Sequence, residues 1–258
     1  MLRFETTAGD WQIEVWSERT PAPHATQDAW LVDPRSGALR LAVVDGCTPM
    51  AGSAETVSVD SAIWAASVVR CALHSWRPAE ECLLAANAFL CDLGVEITQA
   101  RSQAAAVVAD LGEDRLELAC AMDCEAWLEG DDGWRQAFPE ERLRSDVLAA
   151  YEQWKRAHPE ASQDELNQFE EELLSSPEAW RTTSVGRFPE PRLLSASLPL
   201  PRSLVLASDG ARLSAERLPA LEQWLAGLRE WEERHVGRVA GGKTHDDVTV
   251  LRATCRDR

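Results

Sequence analysis

Three aspartates of this chain stand at the limits of apolar segments, and their side chains are suited to bind divalent cations. Asp45 and Asp209 each follow a short apolar run, and Asp246 stands just before another. Because such runs are typical of buried strands, each carboxylate is expected at a sheet edge, where several strands direct side chains to one point. Gly46 and Gly210 follow the first two aspartates, and a residue without Cβ lets its own carbonyl approach an ion closely.

Carboxylates gathered at one point need a cation. Two or three of them within about 4–6 Å repel one another unless a positive charge neutralises them. Hard divalent cations take oxygen ligands of this kind, together with backbone carbonyls and water. A single Asp-Gly pair is equally typical of a turn, and Asp132-Gly133 in the predicted hairpin tip 129–133 is interpreted as one. The repetition at three strand ends is what predicts a metal site.

The elements that must position these aspartates follow from the spacing of apolar residues. Apolar and polar residues alternate from Trp11 to Trp16, which predicts a half-buried strand, whereas 54–76 has a helical period. A turn at 33–37 separates two of the predicted strands. Two sheets with helices on their outer faces are the simplest packing of such an order. The predicted strands are 11–16, 29–32, 39–44, 104–109, 116–120, 125–128, 192–196, 204–208 and 248–251, and the predicted helices are 54–76, 78–93 and 219–233.

The segment 139–178 differs in composition from the rest of the chain. It is dense in Glu, Arg, Gln and Asp with few Leu and Trp, and Pro159 divides it. This pattern predicts two amphipathic, largely exposed helices laid over the domain. The chain has no repeat, low-complexity tract or long linker, so we predict a single domain over 1–258 with an insertion at about 139–178.

Composition excludes several classes of function. The formal charge of −17 argues against proteins that follow nucleic-acid phosphates or bind anionic membranes, because both need a basic surface. No apolar run approaches the roughly 20 residues that span a bilayer, and Met1–Glu5 lacks the apolar stretch of a secretion signal. The seven cysteines form no C-x-x-C pair, which predicts reduced thiols and a cytoplasmic location.

Five short motifs resemble those of the protein phosphatase 2C family of metal-dependent Ser/Thr protein phosphatases. Two predicted helices separate the second motif from the third, as in the family, and the resemblance covers about 17–253, nearly the whole chain. The motifs are, in order, Thr-Gln-Asp-Ala-Trp at 26–30, Val-Val-Asp-Gly at 43–46, Ala-Met-Asp-Cys-Glu at 121–125, Ala-Ser-Asp-Gly at 207–210 and Asp-Asp-Val-Thr-Val at 246–250.

This resemblance implies an α+β fold, a sandwich of two packed antiparallel β-sheets flanked by helices. Asp45 is expected to bridge two Mg²⁺ or Mn²⁺ ions, and the Gly46 carbonyl to bind one of them. Asp209 and Asp246 would complete the shell of the other ion, and Asp123 is the candidate ligand of a third. The three aspartates at 45, 209 and 246 are then the catalytic residues. Water held between the ions attacks the phosphorus of a phosphoserine or phosphothreonine protein, and no protein nucleophile is needed.

The chain also departs from the family pattern, and the departures define an alternative. The family's phosphate-binding arginine falls on Pro23, so Arg19 or His24 is the candidate phosphate contact, and the family's glutamate falls on Gln27. A catalytically weak or inactive pseudophosphatase would use the same acidic face to bind or regulate phosphoproteins. In either case the insertion at 139–178, placed where the family carries a variable flap, is the expected contact for a partner kinase or regulator.

A second alternative is a haloacid-dehalogenase-like phosphatase, in which an aspartate after a strand is the nucleophile. Asp45 could take that role, and Lys243 with Asp246 could mimic the later motifs. The second aspartate of such enzymes falls on Cys47, however, and the apolar strand follows Asp246 where that family places it before. Trapping with beryllium fluoride, an acyl-phosphate mimic, separates this mechanism from one that uses water.

Overall fold

The computed structural model describes most of the chain. The described ranges are 1–19, 27–46, 59–97, 103–139, 145–162, 182–186, 188–235 and 246–256, together with 165, 168–169 and 172–173. For 59–63, 93–97, 145–148 and 235, which lie in helices, the description covers the backbone alone.

The described strands form two sheets in which every pair of neighbours is antiparallel. This confirms the predicted sandwich. The six-stranded sheet has the order β1 (Leu2–Ala8), β2 (Trp11–Glu18), β11 (Val248–Cys255), β10 (Ser203–Ala207), β7 (Glu125–Gly130) and β8 (Gly133–Gln136). The five-stranded sheet has the order β3 (Asp28–Arg35), β4 (Ala38–Gly46), β5 (Ala104–Leu111), β6 (Arg115–Ala121) and β9 (Leu194–Pro199).

Helices cover the outer faces of both sheets. Helices α1 (Val59–Leu73) and α2 (Ala79–Ile97) pack on the five-stranded sheet, and α4 (Leu221–His235) packs on the six-stranded sheet. Helix α3 (Ser145–Ala157) lies in the predicted insertion, where the described positions between 165 and 173 are also helical. The layers are therefore helix, sheet, sheet and helix.

Strand β4 shows why its sequence reads as a continuous apolar run. Leu41 and Val43 enter the core between the two sheets, whereas Ala42 and Val44 face α1 and α2 on the other side. All four side chains are fully buried, because alternate residues of a strand point to opposite faces and both faces are covered here. The strand therefore places Asp45 at the edge of a rigid, close-packed region.

Some elements differ from the prediction for identifiable reasons. Strand β1 is an edge strand whose residues are mostly exposed, so it lacks the apolar pattern of a buried strand. The predicted turn at 33–37 is shorter, because Pro34 is accommodated in the edge strand β3, where a missing N–H is tolerated. Gly37 has a φ of 75°, which completes the turn between β3 and β4.

Two further properties concern the cysteines and the helices. The six cysteines within the described ranges form no disulfide with one another. In the same part of the chain, no helix is both long and apolar enough to cross a bilayer.

Candidate metal centre

The registers of the five-stranded sheet bring three aspartates to one end of the sandwich. Asp45, near the end of β4, pairs directly with Asp28, the first residue of β3. On the other side of β4, strand β5 begins, and its Ala106 pairs with Ala121 at the end of β6. Asp123 stands in the turn that follows, so it lies at the same end of the sheet.

The six-stranded sheet contributes two more aspartates at this end. Ala207, the last residue of β10, pairs with Val250 on β11 and with Glu125 on β7. Asp209 follows β10 and Asp246 precedes β11, so both stand beyond the same edge. Asp209 is exposed and Asp246 is half-buried, which leaves this end of the site open to solvent.

The charge environment of Asp45 shows that these carboxylates converge. Burial raises the pKa of Asp45 well above its ordinary value, and neighbouring negative charges raise the pKa further. The structure therefore brings together the four aspartates predicted from the sequence and adds a fifth. The neighbouring charges are those of Asp28, Asp209, Asp123 and Asp246.

Asp28 is the fifth carboxylate. Burial raises its pKa to about 7, against the favourable hydrogen bonding of Ser208 and Thr249 and with the added repulsion of Asp247 and Asp246. The Ser208 hydroxyl donates to Asp28 Oδ2 at 2.8 Å. The second oxygen, Oδ1, is buried and has no donor among the described residues. A buried acceptor of this kind is costly unless a ligand satisfies it.

Gly210 is required for a reason that the sequence did not show. A Cβ on this residue would lie 2.0 Å from the Asp247 carbonyl oxygen and 3.2 Å from Asp246 Cβ. The 3₁₀ turn Asp209–Ala211 therefore lies directly on the backbone that precedes β11. The absence of a side chain at 210 is what allows Asp209 and Asp246 to come together.

The donor set suits a hard divalent cation, although it does not form a closed cage. Within the described ranges, no group of three or more His, Cys, Asp or Glu side chains is already arranged around one point as metal ligands. Five carboxylates nevertheless share one end of the fold, and Asp28 Oδ1 lacks a donor in the described part of the chain. Like charges repel one another, so a cation would favour a closer approach of these carboxylates. Oxygen donors of this type fit Mg²⁺ or Mn²⁺ better than softer metals.

Of the two candidate phosphate contacts, Arg19 lies within the described residues and His24 does not. Arg19 is exposed and directly follows β2, whose Glu18 pairs with Val248, so it stands at the same edge as Asp246. His24 lies outside the described residues, as do Pro23, Cys47 and Lys243.

Asp28 belongs to the first of the five sequence motifs, but its carboxylate was not predicted to be part of the site. The signal that could have found it is the turn between β3 and β4. In the structure the turn is Ser36-Gly37, and the antiparallel register that follows from it pairs Asp28 with Asp45. A sequence prediction that confined the turn to these two residues would have given the same pair. Ser208 and Asp247 were missed because their roles depend on contacts between the two sheets.

No protein-family model and no curated protein sequence matches the chain, whereas solved structures do. RsbX in complex with magnesium has a TM-score of 0.62 at 10% identity, covering 98% of this chain and 99% of RsbX. The serine/threonine phosphatase Stp1 from Staphylococcus aureus has a TM-score of 0.62 at 12% identity, covering 98% and 97%. The catalytic domain of the phosphatase PstP, in complex with two manganese ions, has a TM-score of 0.58 at 18% identity, covering 95% and 97%. The chain therefore has the fold of bacterial serine/threonine phosphatases, in agreement with the sandwich predicted from its resemblance to the protein phosphatase 2C family.

Proposed function

We propose that this chain is a divergent, bacterial-type member of the protein phosphatase 2C family, which hydrolyses phosphoserine and phosphothreonine on proteins with two Mg²⁺ or Mn²⁺ ions. The observation that carries the proposal is the environment of Asp45. This half-buried residue stands at a strand end, where desolvation and the charges of four other aspartates raise the pKa of its carboxyl group. Such a group of acids is favourable only when cations share the site.

The proposed ligands divide between the two sheets. Asp45 and the Gly46 carbonyl would hold ions from the five-stranded sheet, and Asp209 and Asp246 from the six-stranded sheet. Divalent ions in such a pair polarise phosphoryl oxygens and make water acidic enough to attack at neutral pH. The role of the chain itself is to hold these oxygens at one point. Magnesium in RsbX and two manganese ions in PstP, which share this fold, support the choice of metal.

Access to the site supports a large substrate. Asp209 is exposed, so a phosphorylated side chain on another protein can reach the site from solvent. Arg19 stands at the same edge and is the proposed phosphate contact within the described residues, with His24 as the second candidate. Asp123 is the proposed ligand of a third ion. The insertion at 139–178 is the proposed contact for a partner kinase or regulator.

The experiment measures hydrolysis of p-nitrophenyl phosphate and of a phosphothreonine peptide with Mn²⁺. Wild type is compared with Asp45→Asn and Asp209→Asn, and we expect each change to lower kcat/KM by about a thousandfold, because metal ions supply several kcal/mol of stabilisation to the transition state. Asp132→Asn is the matched control, since Asp132 also precedes a glycine but stands in the exposed turn between β7 and β8.

The outcomes separate the competing functions. Metal-dependent turnover that both changes abolish supports the phosphatase. Metal binding without turnover contradicts hydrolysis and indicates a phosphoprotein-binding module. A stable beryllium fluoride adduct on Asp45 would instead support an aspartate nucleophile. Absence of metal binding by the wild type would reject the first two functions together.

A further inference from the structure

Two hydrogen bonds cross from one sheet to the other at the acidic end of the sandwich. The Ser208 hydroxyl, after β10, donates to Asp28 Oδ2 on β3 at 2.8 Å. The backbone N–H of Gln27, before β3, donates to Asp247 Oδ2 at 2.7 Å. We call these two contacts the cross-sheet hydrogen bonds.

Ser208 is held against the Thr249 backbone, and its hydroxyl has two acceptors: Asp28 Oδ2 at 2.8 Å and, at 3.5 Å, the Thr249 carbonyl. Its backbone N–H donates to the Thr249 carbonyl at 3.0 Å, and its Oγ accepts the Thr249 N–H at 2.9 Å. The side chain is buried, with 1% of its surface exposed. Because Oγ already accepts a backbone N–H, its proton is free to donate to Asp28.

Asp247 makes the second of the cross-sheet hydrogen bonds, with Gln27. Its buried carboxylate accepts the Gln27 N–H, and the Gln27 carbonyl in turn accepts the Gly46 N–H at 3.1 Å. A short chain of hydrogen bonds thus connects the residue before β11 to the last residue of β4. Gly46 is the neighbour of Asp45, so the chain ends beside the most central carboxylate of the site.

We propose that Asp247 and Ser208 are positioning residues, which fix Gln27, Asp28 and Gly46 against the ends of β10 and β11. The inference rests on the proposed function of the same site. These contacts are directional, whereas the apolar packing between the two sheets is not. The hydrogen bond from Ser208 holds Asp28 Oδ2, and the buried Oδ1 of Asp28 remains as an acceptor for a ligand at the site.

The hydrogen bond, and not the charge, is the property of Asp247 on which positioning depends. The amide oxygen of an asparagine accepts the same N–H as the carboxylate of Asp247 does. Asp247→Asn should therefore preserve the Gln27 contact, whereas Asp247→Ala removes it. This pair of variants separates positioning from electrostatics.

The experiment uses the full chain with Mn²⁺ as the probe. We expect Asp247→Ala and Ser208→Ala each to weaken Mn²⁺ binding by about tenfold or more, as is usual when a partner of a metal ligand is removed. With the phosphothreonine peptide, kcat should fall while KM changes little, since the substrate is not touched. Asp247→Asn should restore Mn²⁺ affinity to within about threefold, because the acceptor is retained. Ser203→Ala is the matched control, a buried serine at the opposite end of β10.

Hydrogen exchange provides a readout that needs no metal. The backbone amide hydrogen of Gln27 should be protected from exchange in wild type and in Asp247→Asn, and it should exchange rapidly in Asp247→Ala. An unprotected Gln27 amide in wild type would overturn the inference, as would equal losses of affinity in the two Asp247 variants. Loss of affinity in Ser203→Ala as large as in Ser208→Ala would also overturn it. Wild type that binds Mn²⁺ without turnover contradicts the proposed hydrolysis alone, and the affinities still decide the positioning role.

Discussion

Buried and half-buried carboxylates occur in two different settings in this molecule. Away from the site, arginines neutralise them. Both oxygens of Asp110 accept from Arg40 at 2.6 Å, and the fully buried Glu232 contacts Arg212 at 3.3 Å and Arg229 at 2.9 Å. A buried charge with a hydrogen-bonded partner is tolerated because the partner compensates for the lost hydration.

The central residues at the acidic end of the sandwich have a different charge environment. The charges that act most strongly on Asp45 are all negative. Its neighbour Asp28 accepts a hydrogen bond from Ser208, which is a neutral residue. Asp110 and Glu232 therefore have arginine partners, whereas the charges that most raise the pKa of Asp45 are those of other aspartates. The proposed metal site gives this difference a reason, because bound cations would take the role that arginine has elsewhere.

The largest expected effect tests the structural half of the comparison. Arg40 is almost fully buried, and besides Asp110 it donates to the Leu73, Ser75 and Arg77 carbonyls. Arg40→Met should lower the free energy of unfolding by about 3–5 kcal/mol, because the remaining partner and these carbonyls lose their donor. Urea unfolding measures the change.

The matched control for Arg40 is an ion pair at the surface. Arg202 and Asp131 are both exposed, and Arg202→Met should change stability by about 0–1 kcal/mol. A similar loss in both variants would mean that burial does not distinguish the two pairs.

At the acidic end, removal of a charge is expected to raise the free energy of unfolding and not to lower it. Asp45→Asn, in the absence of divalent metal, should raise the free energy of unfolding by about 1–3 kcal/mol, because a buried charge among like charges becomes neutral. Mn²⁺ should stabilise the wild type and not the variant. Thermal unfolding with and without the ion measures this difference. Destabilisation of the metal-free variant would show that the Asp45 carboxylate stabilises the fold without metal, and this would contradict the comparison.

Gly210→Ala tests the close contact that brings the two halves of the site together. The added Cβ would overlap the Asp247 carbonyl oxygen, so we expect a loss of about 1–3 kcal/mol of stability from backbone displacement. Mn²⁺ affinity should also fall, by about tenfold, because Asp209 and Asp246 move apart. Isothermal titration calorimetry measures the affinity.

Gly227→Ala is the control for this substitution. Gly227 lies in helix α4, and a Cβ added to it would meet no described atom within 4 Å. Alanine should therefore stabilise the protein by about 0.5–1 kcal/mol through helix propensity. Equal behaviour of the two alanine variants would contradict a specific role for Gly210.

The smallest effect is a pH dependence. Asp28 has a pKa of about 7 in the folded protein and an ordinary value of 3.8, so the folded state binds its proton more tightly than the unfolded state. Its contribution to stability is therefore present at low pH and is lost as the pH rises from about 4 to 7. Metal-free wild type should lose Tm over this range relative to Asp28→Asn, by about 2–4 °C for each kcal/mol.

Saturating Mn²⁺ sharpens this last prediction. The ion favours the ionised carboxylates, so the difference in slope between wild type and Asp28→Asn should shrink when it is present. Calorimetric scans at pH 5 and pH 7.5 measure both conditions. A slope that is the same in wild type and variant without metal would mean that Asp28 does not titrate in this range.

Particular residues show how far the sequence could lead. The positions of Asp45, Asp209 and Asp246 at strand ends were predictable, because an apolar run that stops at an aspartate marks both a buried strand and its limit. The exposed edge strand β1 was not, since its side chains carry no burial pattern. The pairing of Asp28 with Asp45 depended on a turn whose length the composition of 33–37 did not determine.

By itself, the sequence determined most of the elements and the acidic character of three of their ends, because the periodicity of apolar residues is a local property of the chain. The tertiary structure decided which ends meet. Strand β11 lies between β2 and β10, although β2 is at the other end of the sequence, and the backbone hydrogen bonds that join strands carry no residue code. The contacts of Ser208 with Asp28, of Gln27 with Asp247 and of Gly210 with the β11 backbone exist only because two sheets pack face to face.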